Sequence, residues 1–386
     1  MSNNSRPESP PVKSKEIDYI LLIIVFCLLG IGLVTILSSS VYVAQTTMGD
    51  GLYYVKRQFI YAIIGLIAMV FAIKLKIRNL HTYLRPVIII IVLLLIATHI
   101  PGIGITVRGS TRWVNILGIS LQPSEFAKIA MVIFTAHILS NPLYHTYNLS
   151  KKLITFIPIA GVASIVLLQP DLGTTLVIAL SVFVIFFAAG MNYLNVFLLG
   201  LVGAAGVLYK SWHTPYQKAR LLSFWNPWDD PKGIGYHLVQ SLIAIGSGGF
   251  WGRGFGQSVQ KLFYLPEQHT DFIFAIFAEE FGFIGAFVFL VLFTVFAQRG
   301  FTIAYKSKDA FTKLLCAGIT TLICGQAILN VAVVTGSIPT TGVPLPFMSY
   351  GGSYLIVTLF SVGLLLNASK DVRSDWEILE GKAKAS

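Results

Sequence analysis

The chain has 386 residues, of which 55% are apolar and only 12% charged, with a net charge of +11 and a mean hydropathy of +0.75. Soluble domains carry roughly one quarter charged residues, so the composition excludes a soluble globular protein and indicates a membrane protein. The basic residues lie in short clusters beside apolar runs with no nucleic-acid motif around them, which favours anionic lipid over nucleic acid as their partner.

Residues 1–17, rich in Ser, Pro and Asn, read as a disordered cytoplasmic tail. Apolar runs then begin at Tyr19, Phe59, Pro86, Phe126, Leu153, Thr174, Leu194, Phe272, Phe311 and Ser353. Most reach the roughly 20 residues a helix needs to cross a bilayer. The expected fold is therefore an all-α polytopic membrane protein of about ten transmembrane helices, with a long outer loop, 210–270, between helices 7 and 8. The first run extends from Tyr19 to about Ser39 without a small-residue cleavage pattern, so it is a retained helix and not a signal peptide. Lys74, Lys76, Arg78, Arg85, Lys306, Lys308, Lys313 and Lys370 flank the spans on the side of the N-terminus, which makes that side cytoplasmic. Both termini are then cytoplasmic, and the charged stretch 370–386 forms a second tail. Cys27, Cys316 and Cys324 all fall inside apolar runs and lack metal-ligand spacing, so neither a disulfide framework nor a zinc site is expected.

Between the third and fourth spans, Arg112-Trp113 leads to Gln122-Pro123-Ser124-Glu125 and then Lys128. Glu125 and Lys128 share one helix face at i and i+3. Their plain reading is an intramembrane ion pair, and their functional reading is a cavity wall where Arg112 and Lys128 offer positive charge to an anion. Gln169-Pro170-Asp171-Leu172-Gly173-Thr174 opens another helix, where Asp171 reads as the cap. The 210–270 loop carries Trp212, Trp225, Trp228 and Trp251, aromatics suited to the headgroup layer, among several Lys and Arg residues.

That loop ends in Leu265-Pro266-Glu267-Gln268-His269-Thr270-Asp271-Phe272, placing a carboxylate where a polar segment re-enters the membrane. A carboxylate there needs a partner, a substrate or a structural purpose. Thr270 and Asp271 could simply cap the next helix. At about 100° per residue, Asp271, Ala275, Ala278, Gly282, Gly285 and Ala286 share a small-residue side with Glu279 at its margin. Phe272, Ile273, Ile276, Phe277, Phe283, Ile284 and Phe287 take the other, so Asp271 should face the bundle interior and the large residues lipid. The final outer loop, Pro339 to Ser353, is too rich in Pro and Gly for helix, and reads either as a re-entrant, substrate-facing loop or as a tight surface turn.

No phosphate-binding glycine loop, GxSxG nucleophile or His-Glu-x-x-His helix is present. Lys56-Arg57-Gln58, Thr111-Arg112-Trp113, Gln122 to Lys128, Gln169 to Thr174, Asn226-Pro227-Trp228, Pro266 to Phe272 and Pro344 to Ser353, in this order and spacing, resemble the SEDS family of bacterial shape, elongation, division and sporulation proteins over residues 18–369. Within it, Gln257 to Pro266 is more similar to the division branch, FtsW, than to the elongation branch, RodA.

The resemblance implies a peptidoglycan glycosyltransferase of the bacterial cytoplasmic membrane that polymerises lipid II into glycan strands on the outer face, in septal wall synthesis. A lipid II flippase and a RodA-type elongation polymerase are the alternatives. It implies a class B penicillin-binding protein (a transpeptidase) as partner, with other divisome membrane proteins. The family's essential acid falls on Asp271, a base for the 4-hydroxyl that attacks the anomeric carbon as polyprenyl pyrophosphate leaves with inversion. Arg112, Lys128 and Lys261 are candidates for the developing pyrophosphate charge. Gln122, Glu125, His269, Thr270 and Ser349 complete the expected substrate site. No cofactor is demanded, although a divalent cation, Mg or Mn, could act at Asp271.

Overall fold

The computed structural model describes residues 16–383 apart from 101–102, 108–109, 117–118, 147–148, 170 and 192. The 1–17 tail therefore lies outside the described residues in all but its last two positions, and Pro170 lies outside them too. Every apolar run became a helix: α1 (Tyr19–Met48), α2 (Tyr53–Lys74), α3 (Leu84–Ala97), α4 (Pro123–Leu139), α5 (Leu149–Leu168), α6 (Leu172–Ala188), α7 (Tyr193–His213), α10 (Ile273–Lys306), α11 (Ala310–Val334) and α12 (Gly352–Ala383). Among the described residues, six stretches are long and apolar enough to cross a membrane by length and composition, in α1, α2, Ile77–Ala97, α10, α11 and Gly352–Val372. The other four runs give shorter or less apolar helices within the same bundle.

Two short helices, α8 (Pro215–Trp225) and α9 (Tyr236–Gly248), subdivide the long 210–270 connection. The stretch from Lys370, read as the second tail, continues α12 as helix to Ala383. Helix formers such as Glu377, Leu379, Glu380 and Lys382 dominate that stretch.

Helix α11 is the centre of the bundle, packed against α10, α6 and α4, while α12 lies along α2, and α1 along α10. Both chain ends leave by the same face. There the Asp18 side chain caps α1 at Leu21 N and pairs with the Arg299 guanidinium from α10, while the Asp18 backbone N–H donates to Ser369 Oγ on α12. The opposite face carries the connections that hold the expected site and is called the loop face below.

One element of the loop face was not expected. Strands β1 (Gly104–Val107), β2 (Ser110–Ile116) and β3 (Ile119–Leu121) form an antiparallel sheet in the order β1-β2-β3. Its register pairs Ile105 with Trp113 and Asn115 with Ser120. The signal was present in the sequence, since β-branched residues cluster between the Arg108-Gly109 and Leu117-Gly118 breaks.

Candidate functional site

Asp271 does not cap a helix. Helix α10 begins at Ile273, its N-cap position is Phe272, and no side chain bonds the cap. Asp271 instead ends a series of turns from Lys261, in which Phe263 and Glu267 adopt positive φ values of 66° and 55°. The remaining positive-φ residue other than glycine, among the described residues, is Phe347 at 66°, in the loop after α11. Non-glycine residues held there cost on the order of 1–3 kcal/mol each and persist only where surrounding structure enforces them. All three fall in the two segments that build this site.

Those two segments are joined through their backbones. Asn330 Nδ2, buried on α11, donates to Asp271 O at 2.8 Å and to Val343 O at 2.7 Å. Ser349 Oγ donates to Thr270 O and accepts from Leu345 N, both at 2.7 Å. Tyr350 N donates to His269 O at 2.8 Å. Gln58 on α2 bridges Ser349 O and Gly351 N, and Tyr354 Oη donates to Ser349 O as well. Val343, Leu345, Phe347, Met348 and Ser349 are all buried, so 339–351 is a re-entrant loop inside protein and not a surface turn. Backbone that leaves helix at that depth must find such partners.

The Asp271 carboxylate is half-buried where this loop passes beneath it. Gly342 has φ +71°, and a Cβ built there would lie 3.3 Å from Asp271 Oδ2 and 4.0 Å from Nη1 of Arg220 on α8. Arg220 Nη1 donates to Thr340 O at 3.3 Å. A carboxylate and a guanidinium thus lie near one glycine, whose positive φ and tight Cβ position favour a residue without a side chain. In the sequence Arg220 is one of several charges of the 210–270 loop, with nothing local to single it out. Gln326 and Asn330 do carry a signal, as polar residues at i and i+4 on one face of an apolar helix, a pattern that marks an interior polar stripe.

The other expected residues fall into separate groups. Lys128 is buried against Glu125 at 2.7 Å, and its ammonium also donates to Gln326 Oε1 at 2.8 Å. Gln326 Nε2 in turn donates to Pro344 O, so this ion pair supports the re-entrant loop from below. Gln122 enters through its backbone, its N–H donating to Ser353 Oγ at the start of α12. Arg112 on β2 donates to Gln169 O at 3.1 Å and lies 3.8 Å from Asp171. Asp171 caps α6 as expected, accepting from Thr174 N and Thr174 Oγ1. Thr270 Oγ1 donates to Glu267 Oε2 and steadies the strained turn, while His269 packs its ring against Tyr54 and Tyr350. Burial, with Tyr61 adding and Arg57 opposing, pushes the Tyr350 phenol up to about 12, so it stays protonated.

Lys261 stands apart from Asp271. It is buried, with its ammonium 2.9 Å from Glu280 Oε1 and 3.1 Å from Ser38 Oγ of α1. Glu279, fully buried beside it, accepts from Ser258 Oγ, Val259 N and Ser247 Oγ, and lies 3.6 Å from Arg253. This cluster sits at a break in α10. Gly282 has φ 66° and ψ −166°, and segment 249–254 crosses the helix at that point. Arg253 N and Gly254 N donate to the carbonyls of Glu279 and Glu280, while Phe283 N and Ile284 N donate to those of Gly249 and Phe250.

The crossing corrects the expected two-sided helix. Phe272, Ile273, Ile276 and Phe277, assigned to lipid on a straight helix, are buried under the loop, whereas Phe283 and Phe287 beyond the break are exposed. Among the described residues no three His, Cys, Asp or Glu side chains gather as a metal site requires.

Comparison with known proteins follows the same outline. The family model FTSW_RODA_SPOVE, described as cell cycle protein, matches residues 19–374. A probable peptidoglycan glycosyltransferase FtsW of Trichlorobacter lovleyi is 38% identical, covering 94% of this chain and 96% of the relative. Stage V sporulation protein E of Bacillus subtilis is 41% identical, covering 93% and 98%. Among solved structures, the rod shape determining protein RodA of Thermus thermophilus superposes with a TM-score of 0.68 at 26% identity, covering 92% of this chain and 97% of that one. A chain from a peptidoglycan synthase complex that coordinates polymerization and crosslinking gives 0.72 at 26% identity, covering 92% and 98%.

Proposed function

We infer, for a chain that belongs to the FtsW/RodA/SpoVE family of cell cycle proteins, that it is a peptidoglycan glycosyltransferase polymerising lipid II, with Asp271 as its general base. The observation that carries this reading is the placement of Asp271. Its backbone is fixed by Asn330 and its neighbours by Ser349 and Tyr350, while its carboxylate lies against the Gly342 stretch of the re-entrant loop, to which Arg220 also bonds at Thr340 O. A base must hold its position while its own oxygen exchanges a proton, and here the protein fixes the backbone independently of that oxygen.

The 4-hydroxyl of the acceptor GlcNAc gives its proton to the Asp271 carboxylate as its oxygen attacks the anomeric carbon of the donor MurNAc. The bond from that carbon to the polyprenyl pyrophosphate oxygen breaks on the opposite side. One displacement turns an α-linked pyrophosphate into a β-1,4 link. Negative charge gathers on the departing pyrophosphate, so cationic donors aimed at it lower the barrier. Arg112, half-buried on the loop face, suits that charge or the incoming lipid. Lys128, held by Glu125 and Gln326, acts through Pro344 as a positioning residue, and Lys261 anchors the crossing loop. A divalent cation, Mg or Mn, would have to be shared between Asp271 and substrate phosphates, because the described residues supply no cluster for it. No step here is routed through one.

The relatives named FtsW and stage V sporulation protein E support a role in septal wall synthesis over one in elongation. The basic clusters at Lys74–Arg78, Lys306–Lys313 and Lys370 support a cytoplasmic position for both ends, with the loop face outside the bacterial cytoplasmic membrane. A class B penicillin-binding protein is the partner suited to crosslink the product, alongside other divisome membrane proteins. Flipping lipid II would require polar groups facing water at several depths, but Glu125, Lys128, Glu279 and Glu280 are buried and paired within protein.

The test is polymerisation of labelled lipid II by the purified chain with its transpeptidase partner, comparing wild type with Asp271→Asn. Glycan strands should fall by about 10²–10⁴-fold in the variant at unchanged melting temperature. Equal product from both proteins would remove Asp271 as the base. Insensitivity of the wild type to a chelator would remove the shared cation.

A further inference from the structure

The end of α7, the apolar face of α8 and Pro339, at the start of the re-entrant loop, border an open groove of about 540 Å³. Leu208, Trp212, Leu221, Phe224, Trp225 and Pro339 line it. That volume falls within the range of ligand sites, roughly 300–1,000 Å³. Its walls are largely apolar, with Tyr209 and His213 as the polar exceptions, and its mouth is open, with Trp225 83% exposed. In a membrane protein such surface meets lipid chains, so an apolar chain is its natural occupant.

The occupant is indicated by what adjoins the groove. Pro339 lines it, the next residue, Thr340, gives its carbonyl to Arg220, and a Cβ placed on Gly342 would lie 3.3 Å from Asp271 Oδ2. Three peptide steps span at most about 11 Å. Along that short path the molecule presents apolar groove, guanidinium and carboxylate, in that order. A lipid-linked sugar donor has the same order of groups: prenyl chain, pyrophosphate, anomeric carbon. A transmembrane helix from a partner would fill the groove but give no use to a guanidinium at its inner end.

We propose that this groove seats the prenyl chain of the lipid-linked donor and that Arg220, at its inner end, binds the donor's pyrophosphate. The assignment rests on the glycosyltransferase reading above and adds the donor's place within it. The guanidinium can present two parallel N–H donors to phosphate oxygens, so it recognises the ground state and takes up the charge that grows as the bond to the sugar breaks. Lys218, whose ammonium lies 4.8 Å from the Trp212 ring centroid, adds a second cation at the outer rim.

The experiment reads binding without turnover. A polyprenyl pyrophosphate carrying a photoreactive diazirine in its prenyl chain is irradiated with the full-length chain and its transpeptidase partner in lipid nanodiscs, and the labelled peptides are mapped. Label should concentrate on 208–225, fall about tenfold in Phe224→Glu and persist in the conservative Phe224→Tyr. Arg220→Gln should weaken labelling by the pyrophosphate probe about tenfold and leave labelling by the matching uncharged polyprenol unchanged. Label outside 208–225, equal labelling of Phe224→Glu and wild type, or an Arg220→Gln effect identical for both probes would overturn the proposal. Displacement of the label by the partner's transmembrane helix alone would also overturn it. Intact labelling of a chain that fails to polymerise supports the groove and counts against Asp271, so the two readings fail separately.

Discussion

Helix α10 and the turn that leads into it carry acidic groups in two settings eight or nine residues apart. Glu279 and Glu280 are fully buried; Ser258, Val259, Ser247 and Arg253 meet the oxygens of Glu279, and Ser38 and Lys261 meet Oε1 of Glu280. Asp271, just before the helix, is half-buried, and what the protein fixes most firmly there is its backbone. A buried carboxylate ringed with donors is a fastener, because desolvation makes every missing partner expensive. A carboxylate whose main chain is clamped by other groups keeps its place while its own oxygen exchanges a proton. The difference separates residues that hold the site from residues that act in it.

Breaking the fastener should have the largest effect on stability. Lys261→Met leaves Glu280 buried without its cation, and should cost about 3–5 kcal/mol, read as a lower melting temperature and loss of folded protein in detergent. A Lys261→Met protein that melts like wild type yet no longer binds lipid II would place Lys261 among the acting residues and erase the distinction. Gly342→Ala probes the other side. Its methyl would sit 3.3 Å from Asp271 Oδ2 at φ +71°, so it should add on the order of 1–3 kcal/mol of strain and, by displacing the carboxylate, lower polymerisation about 100-fold. Full activity in that variant would show that the carboxylate need not lie where this loop puts it. The smallest effect is expected from Ser349→Ala, which removes the link from Leu345 N to Thr270 O. It should cost about 1–2 kcal/mol and reduce turnover less than Gly342→Ala, since Tyr350 and Asn330 still join the two segments.

Much of this arrangement was legible in the chain. Ten apolar runs gave ten helices because length and apolarity suffice to specify a membrane helix. Asp271 stood out because an acid at the edge of an apolar run is costly wherever it lies. The neighbours of Asp271 were harder to read. Arg220 lies 51 positions away, and its convergence on Gly342 depends on the path of two loops. Asn330 and Gln326 act through carbonyls of a distant segment, which no periodicity encodes. The lipid-facing assignment for Phe272 to Phe277 failed for a related reason: angular position along a helix describes a straight rod, and the break at Gly282 is created by a loop from elsewhere in the chain.

That break has a mechanical corollary. Segment 249–254 and the two halves of α10 complete each other's amide pairing across Gly282, and Glu279 ties the following turns to the same place. Peeling the segment away would leave several peptide groups without partners in apolar surroundings, at a cost of several kcal/mol for each. The stretch from Gly249 to Ile284 therefore behaves as a single lever with Asp271 mounted on it. Displacing Asp271 would therefore mean moving the whole stretch and releasing its bonds to Asn330, Ser349 and Tyr350 as well.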